Sequence, residues 1–369
     1  MRPALKAGLL PVWRDRETVQ IGIDPRRAMA LTGLGPAVLV LGLLDGSRDR
    51  VQVIEAASEQ GVPAAVTERI LTLLAVGGAL DDVTLPGPGQ AADRRRLAGE
   101  LAAVALARGH SDAGAATLGR RQGALVRVYG AGRVATAIAA ILRTSGVGQV
   151  TIADLVRSPA MPANDGPAPS DPAIPATFGT RGAPTASTAS DTPTAPNVPG
   201  APTAPGTQAG HVTHAAFGGT TGARPALPDV AVLVGYPDPE LGDWLMHGGV
   251  PHLAVTAEEA IGVVGPLVRP GQTACLRCVN LTRAALDPAW PLILAQLAGR
   301  HAEPPACDAA LAAAVAAQAA VQVLGVIDRE PGPGATENGT LELVMPGWQW
   351  RRRTWPTHLA CGCSSDSPW

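Results

Sequence analysis

The sequence predicts a mixed α/β chain: one doubly wound α/β domain split by a long tether, with a small α+β module ahead of it. Three observations lead there. Residues 127–154, RVYGAGRVATAIAAILRTSGVGQVTIAD, run from a β-branched strand through a Gly-x-Gly turn and an Ala-rich amphipathic helix. They end in a second apolar run closed by an aspartate. Residues 157–226 hold 13 prolines and no leucine, so they cannot bury enough apolar surface to offset the entropy of ordering. Order resumes at PDVAVLVGYPDPE (228–240), which reads as a buried strand, so the disordered tether interrupts one domain whose two halves pack together.

Taken in order, residues 1–85 form the leading module. VQIGID (19–24) alternates as a strand does, and GPAVLVLGLLDGS (35–47) reads as a helix ended by Asp-Gly. RVQVIEAASEQG (50–61) and VTERILTLLAVGGAL (66–80) are amphipathic helices, the second stopped by Gly77-Gly78. Strands followed by three short helices suit a winged-helix-like module. Residues 86–118 hold a linker, PGPGQ, and a helix rich in Ala and Arg from about 92 to 108. Residues 119–156 are the first part of a Rossmann-like domain, 157–227 the tether, and 228–369 the second part.

A formal net charge of −2 and a pI near 6.4 give nothing that attracts nucleic acid or an anionic membrane. Lys6 is the only lysine; the other basic residues are arginine. The N-terminus lacks the apolar core of a signal peptide, about 7–15 residues long. The longest apolar run, residues 311–327, is mostly alanine interrupted by Gln318 and Gln322, so it predicts a buried helix and no membrane span. These features and the cysteine pattern point to a cytoplasmic protein.

Gly130 and Gly132 let the backbone turn tightly and approach a phosphate, which would meet the free N–H groups of the following helix. Ala135 fills the third small position, where helix and strand pack closely, and Asp154 ends the second strand, where a carboxylate accepts from ribose hydroxyls. The bland alternative is a βαβ unit with no ligand. Cys275 and Cys278 (C-x-x-C) and Cys361 and Cys363 (C-x-C) are two short-spaced pairs that suit a closed structural zinc site. Two unrelated reduced pairs, or a redox pair at Cys275 and Cys278, are the alternatives, and His358 could replace one thiol. Cys307 precedes a long helix, where a lowered pKa would make it a nucleophile; a small buried loop residue is the alternative. Asp238 follows a strand end, as a ligand group or a solvated turn carboxylate. Arg351 to Arg353, set among tryptophans, form an interaction patch or the exposed side of a strand.

These residues together resemble the ThiF/MoeB/HesA family, adenylyltransferases related to ubiquitin-activating enzymes. The likeness covers Arg120–Asp154 and Asp229–Asp328, above all GAGRVATAIAAILRTSGVGQVTIAD and GPLVRPGQTACLRC, and the Cys307 segment resembles the family's crossover loop. It implies a ThiF-type doubly wound domain, structural zinc on the four cysteines, a homodimer, and attack of a small ubiquitin-like or sulfur-carrier protein's C-terminal carboxylate on ATP with Mg²⁺. Asp238 approximates the family's Mg²⁺-binding aspartate. The family's phosphate-clamping positions after the strand-end Asp are here Val156, Pro162, Asp165 and Gly166, and the cations between 155 and 228 are Arg157, Arg181 and Arg224. Each missing clamp costs about 10²–10³ in rate. The N-terminal residues resemble PqqD-like modules, which bind peptide leaders by adding a strand to a winged-helix sheet.

The reading that results is a partner-binding scaffold with weak or lost adenylation, which presents a peptide or a ubiquitin-like or sulfur-carrier protein to a separate modifying enzyme. The alternative is an active adenylyltransferase using Arg133 and Asp238, and a third is an NAD-dependent oxidoreductase resting on the glycine turn and Asp154 alone.

Overall fold

Val126, Val128, Val230, Val232 and Val234 are β-branched and buried, which makes β6 (Leu125–Tyr129) and β8 (Val230–Val234) the middle of a parallel sheet covered on both faces. A computed structural model describes residues 1–83, 96–109, 112–153, 227–298, 307–332 and 334–363. The tether expected at 157–227, apart from Leu227, lies outside the described residues, as does Asp154. The sheet has seven strands. Their order is β12 (Gln349–Thr354), β11 (Gly339–Val344), β10 (Ile261–Val268), β9 (His252–Glu258), β8, β6 and β7 (Gln149–Ala153). Strands β7, β6, β8 and β9 run parallel, while β9 to β12 form an antiparallel meander.

Two helices cover one face. Gly132–Thr144 buries Val134, Ala135, Ile138 and Leu142; Ala309–Ile327 buries Leu311, Val315, Ala319 and Val323 at four-residue spacing. By length and composition the second helix could cross a membrane; half of its most apolar window is buried in this core. The helix Pro239–His247 covers the other face through Leu241 and Leu245, against Tyr129, Ala231 and Leu233.

His252 sits in β9, buried among strands, and its ring nitrogen Nδ1 lies 2.9 Å from the Val250 carbonyl. Burial pushes its pKa down to about 4, against the weaker opposing pull of that carbonyl. A histidine neutral in the fold and protonated when unfolded contributes fully above about pH 6.5, and its contribution is lost progressively as pH falls to about 4. The loss is expected to reach about 3 kcal/mol. Urea unfolding at pH 7 and pH 4.5 checks this: the His252→Asn variant should lose clearly less stability over that interval than the unsubstituted protein.

The N-terminal module has its own core. β1 (Pro3–Leu5) pairs with β5 (Leu80–Asp82), and β2 (Pro11–Trp13), β3 (Thr18–Ile21) and β4 (Met29–Thr32) form an antiparallel sheet. The helix Arg50–Glu59 starts at Asp49, whose side chain accepts from the Gln52 N–H in a complete capping box. The helix Ala64–Val76 ends at Gly77. Residues 35–47 do not make one helix as expected: Gly35–Val38 is a 3₁₀ turn and Leu39–Gly42 a single α turn. The α turn stops at Leu43, and Gly46, at φ +76°, turns the chain at the expected Asp-Gly stop. Lys6, the sole lysine, is buried in an ion pair with Asp81.

Candidate functional site

The ends of β6, β7 and β8 grip the glycine turn. The Gly130 N–H donates to the Ala153 carbonyl at 2.8 Å, and φ is +126°. A Cβ there would stand 2.5 Å from the Val234 carbonyl oxygen, so only glycine fits. Gly132, at φ +82°, opens the helix Gly132–Thr144 with nothing in front of it, and Ala131 at the cap position offers no side-chain bond. Among the described residues no side chain caps the first N–H groups of this helix, which is what an anion site requires. Arg133 is exposed beside them and has no hydrogen bond or ion pair among the described residues. Ala135 is buried where the helix meets the sheet. The carboxylate expected to complete the turn, Asp154, falls outside the described residues, one position after β7 ends. The buried Tyr129 hydroxyl, immediately before the turn, has no partner among the described residues; a tyrosine at a strand end carries no motif that would have marked it.

Asp238 is exposed and caps the helix Pro239–His247, accepting from the Glu240 N–H at 3.1 Å. Among the described residues it belongs to no cluster of metal-ligating groups. That cap is the contact the described residues give it.

Cys307 sits partly buried against the main core, its Sγ 3.4 Å from the Asp308 carbonyl. Its expected low pKa is corrected here: burial and the Asp308 charge push the thiol up, and the positive charge of Arg133 offsets this only in part. The helix N–H groups that would have stabilised a thiolate are taken by the Asp308 carboxylate, which accepts from Ala310 and Leu311.

The two cysteine pairs, more than 80 residues apart, come together. β10 leads into Cys275, which caps the helix Leu276–Leu286, and Cys278 lies in that helix's first turn. The four sulfurs lie within 4.8 Å of one another and all four residues are buried. Cys275 and Cys361 stand 3.4 Å apart, Cys278 and Cys363 3.3 Å, and Cys275 and Cys278 3.8 Å. A closed disulfide needs about 2.0 Å, so none is formed. Burial pushes Cys275 and Cys363 up to about 12 and Cys361 up to about 11. Burial also raises Cys278, but the His358 backbone N–H, 3.3 Å from its sulfur, and the neighbouring thiols outweigh it and lower the pKa. Four buried sulfurs around one point can hold a metal ion. His358 is not among the four groups of this cluster, and its Nδ1 accepts from the Ala360 N–H.

Neither a family model nor a curated protein sequence matches the chain. The fold matches solved structures. The heterocyclase TruD is 16% identical with a TM-score of 0.59, over 99% of this chain and 43% of that one. MccB of E. coli with MccA-N7isoASN is 12% identical with a TM-score of 0.57, over 99% of both chains. MccB of E. coli with ATP is 12% identical with a TM-score of 0.56, over 98% and 99%. The chain spans less than half the length of the TruD structure. The expected membership of the ThiF/MoeB/HesA family, with a PqqD-like module, is thereby corrected: no family model matches, and the similar structures are TruD and MccB. The glycine turn and paired cysteines are demands of a fold, and at such identities the likeness extends to the fold alone.

Proposed function

We propose that this chain binds an extended peptide segment and presents it to a separate modifying enzyme, its own use of ATP being weak or lost. The observation that carries this reading is the open edge of β4. The Gly33 N–H donates to the Glu17 carbonyl, so by the alternation of an antiparallel ladder the amides of Ala30 and Thr32 point away from β3. No backbone partner for either occurs among the described residues. Beside this edge, Met29 packs at Gly77, the C-cap of the helix Ala64–Val76. That helix exposes Val66, Leu73 and Val76, one apolar stripe at helical spacing, with Val76 84% exposed. An unpaired edge beside an apolar stripe suits a peptide that adds a strand. A similar heterocyclase solved with substrate and cofactor, and MccB of E. coli with MccA, are consistent with a peptide partner.

Zinc on Cys275, Cys278, Cys361 and Cys363 supports the same reading as a staple. Zn–S bonds of about 2.3 Å in a tetrahedron put sulfurs about 3.8 Å apart, near the spacings found. The ion would tie the C-terminal segment to the helix after β10 and leave no open coordination position for chemistry. At the glycine turn, Gly130, Gly132 and Arg133 can orient one phosphate against the helix N-terminus, but a single arginine supplies little of the charge that adenylation develops.

Peptides selected from a displayed random library on the full-length chain test the proposal. Affinity is expected to fall at least about tenfold for both Ala30→Pro and Leu73→Asp, with melting temperature unchanged, because the first removes an edge donor and the second breaks the stripe. Peptides that bind both variants as tightly as the unsubstituted chain would overturn it. The second reading, an active ATP-dependent adenylyltransferase, is favoured by the open helix N-terminus at Gly132; ATP–pyrophosphate exchange well above background would establish it in place of the first.

A further inference from the structure

β12 ends the large sheet, and all six of its residues are exposed. Pairing with β11 matches Arg351 to Glu342 and Arg353 to Thr340, so these two arginines share one face of the strand. The Trp355 N–H donates to the Asn338 carbonyl, so the ladder's alternation turns the amides of Trp350, Arg352 and Thr354 outward. Among the described residues no backbone group meets them there.

The face carrying Arg351 and Arg353 holds a charge cluster assembled from three parts of the chain. Trp355, buried just beyond β12, donates from Nε1 to the Thr340 hydroxyl at 3.0 Å. Arg283, from the helix Leu276–Leu286, stands 5.3 Å from the Trp355 ring and 4.6 Å from the Trp290 ring. Arg353 stands 5.5 Å from the same Trp355 ring and pairs with Glu342 at 3.1 Å. Arg283 is partly buried, yet among the described residues it has no hydrogen bond and no ion pair. Burial, and to a lesser degree the nearby Arg353, press its pKa down against the opposing pull of Tyr236 and Glu342. A guanidinium offers five donors and no acceptor, and with two indole rings beside it those of Arg283 make no ion pair among the described residues.

We propose that the open edge of β12 docks an acidic, extended peptide segment, which adds a strand beside Trp350–Thr354 and sets its carboxylates against Arg351, Arg353 and Arg283. Charge selects the occupant. A second copy pairing edge to edge would set Arg351, Arg352 and Arg353 against their own counterparts, and like charges opposed across strands repel. Residues 345–355 contain no Asp or Glu to relieve this. A nucleic acid offers phosphates but no amides to meet the outward backbone groups, whereas an acidic strand satisfies backbone and arginines at once. Arg352 has its guanidinium donors engaged by the carbonyls of Ala335 and Glu337 and Arg353 already pairs with Glu342, so Arg351 and Arg283 offer the guanidinium donors least engaged within the chain. This surface is separate from the β4 edge and stands whether or not that one binds peptide.

The test is calorimetric binding of peptides alternating Glu and Val, or Lys and Val, to the full-length chain, with a single-stranded DNA oligonucleotide as a third probe. The Glu peptide is expected to bind at least about tenfold more tightly than the Lys peptide, and less tightly as salt rises. Trp350→Pro should lose binding through the backbone, and Arg351→Glu and Arg283→Met through charge, each by about tenfold or more, while Ala30→Pro changes nothing. Arg351 and Trp350 are exposed, so those variants keep the fold even if Arg283→Met is destabilised. Equal or absent binding of the two peptides, tighter binding of the DNA, or loss on Arg351→Glu without loss on Trp350→Pro would each overturn the proposal. So would a dimer that Trp350→Pro dissolves.

Discussion

Replacing Cys275 with serine is expected to release about one zinc per chain and to lower the melting temperature by about 10 °C. The four sulfurs come from two segments that meet only in the folded chain, so metal binding is coupled to their docking. In the fold they sit in a small apolar cluster with Val268 and Ala274, where four bare thiols gain little from burial and a zinc thiolate set gains much. Removing one ligand takes away a bond and leaves three sulfurs crowded in that cluster. A loss of about 3–5 kcal/mol follows, and a domain of this size shifts by about 2–4 °C per kcal/mol. Cys307→Ser is the control, because its sulfur lies outside the cluster and should leave zinc content unchanged. Elemental analysis with thermal unfolding decides the matter: metal-free protein, or a Cys275→Ser protein with full zinc and an unchanged melting point, would remove zinc from the structure's account.

Arg121→Met is expected to cost about 3–5 kcal/mol, for a different reason. The Arg121 guanidinium grips Asp328 with two bonds, at 2.9 and 2.7 Å, and reaches Glu100 at 3.0 Å and the Ser145 carbonyl at 3.1 Å. Its side chain is 6% exposed and that of Asp328 only 1%. Arg108 supplies the other cation to Asp328, at 3.0 Å. These contacts tie the helices Ala98–Arg108 and Ala115–Gly123 to the end of the core helix Ala309–Ile327. Without Arg121, Asp328 remains buried with half its partners, and an unpaired buried carboxylate is worth far less than a satisfied one. Denaturant unfolding of Arg121→Met, Asp328→Asn and the double variant measures the coupling. The double variant should lose clearly less than the sum of the singles. Additive losses, or a single loss below about 1 kcal/mol, would mean that the network is solvated and weak.

The glycine turn was legible because its logic is local. Gly130 must be glycine for reasons that lie within the turn and the ends of two adjacent strands, and its residue type announces the positive φ. The cysteine pairs were legible for a related reason: a thiol pair at short spacing has few uses, and the fold had only to bring two such pairs together. For Cys307 the helix-start position argues for a low pKa, while the neighbouring Asp308, whose capping bonds only the structure shows, takes the same N–H groups. The family expectation misled for a broader reason, since turn and cysteines constrain backbone and metal geometry, which distant chains can share.

By itself the amino-acid sequence determined the α/β class, the glycine turn, the two cysteine pairs and the burial of the helix after Cys307. Each depends on residue type and spacing within one segment, where local conformational preference and hydrophobic periodicity act. Tertiary structure alone decided that Asp238 is spent on a helix cap, that Lys6 is spent on Asp81, and that Arg283 meets Trp290, Trp355 and Arg353. Among the described residues it also left β4 and β12 as open edges. Whether a charge is paired and whether an edge is covered depends on what other segments bring alongside, and that is settled only when the whole chain has packed.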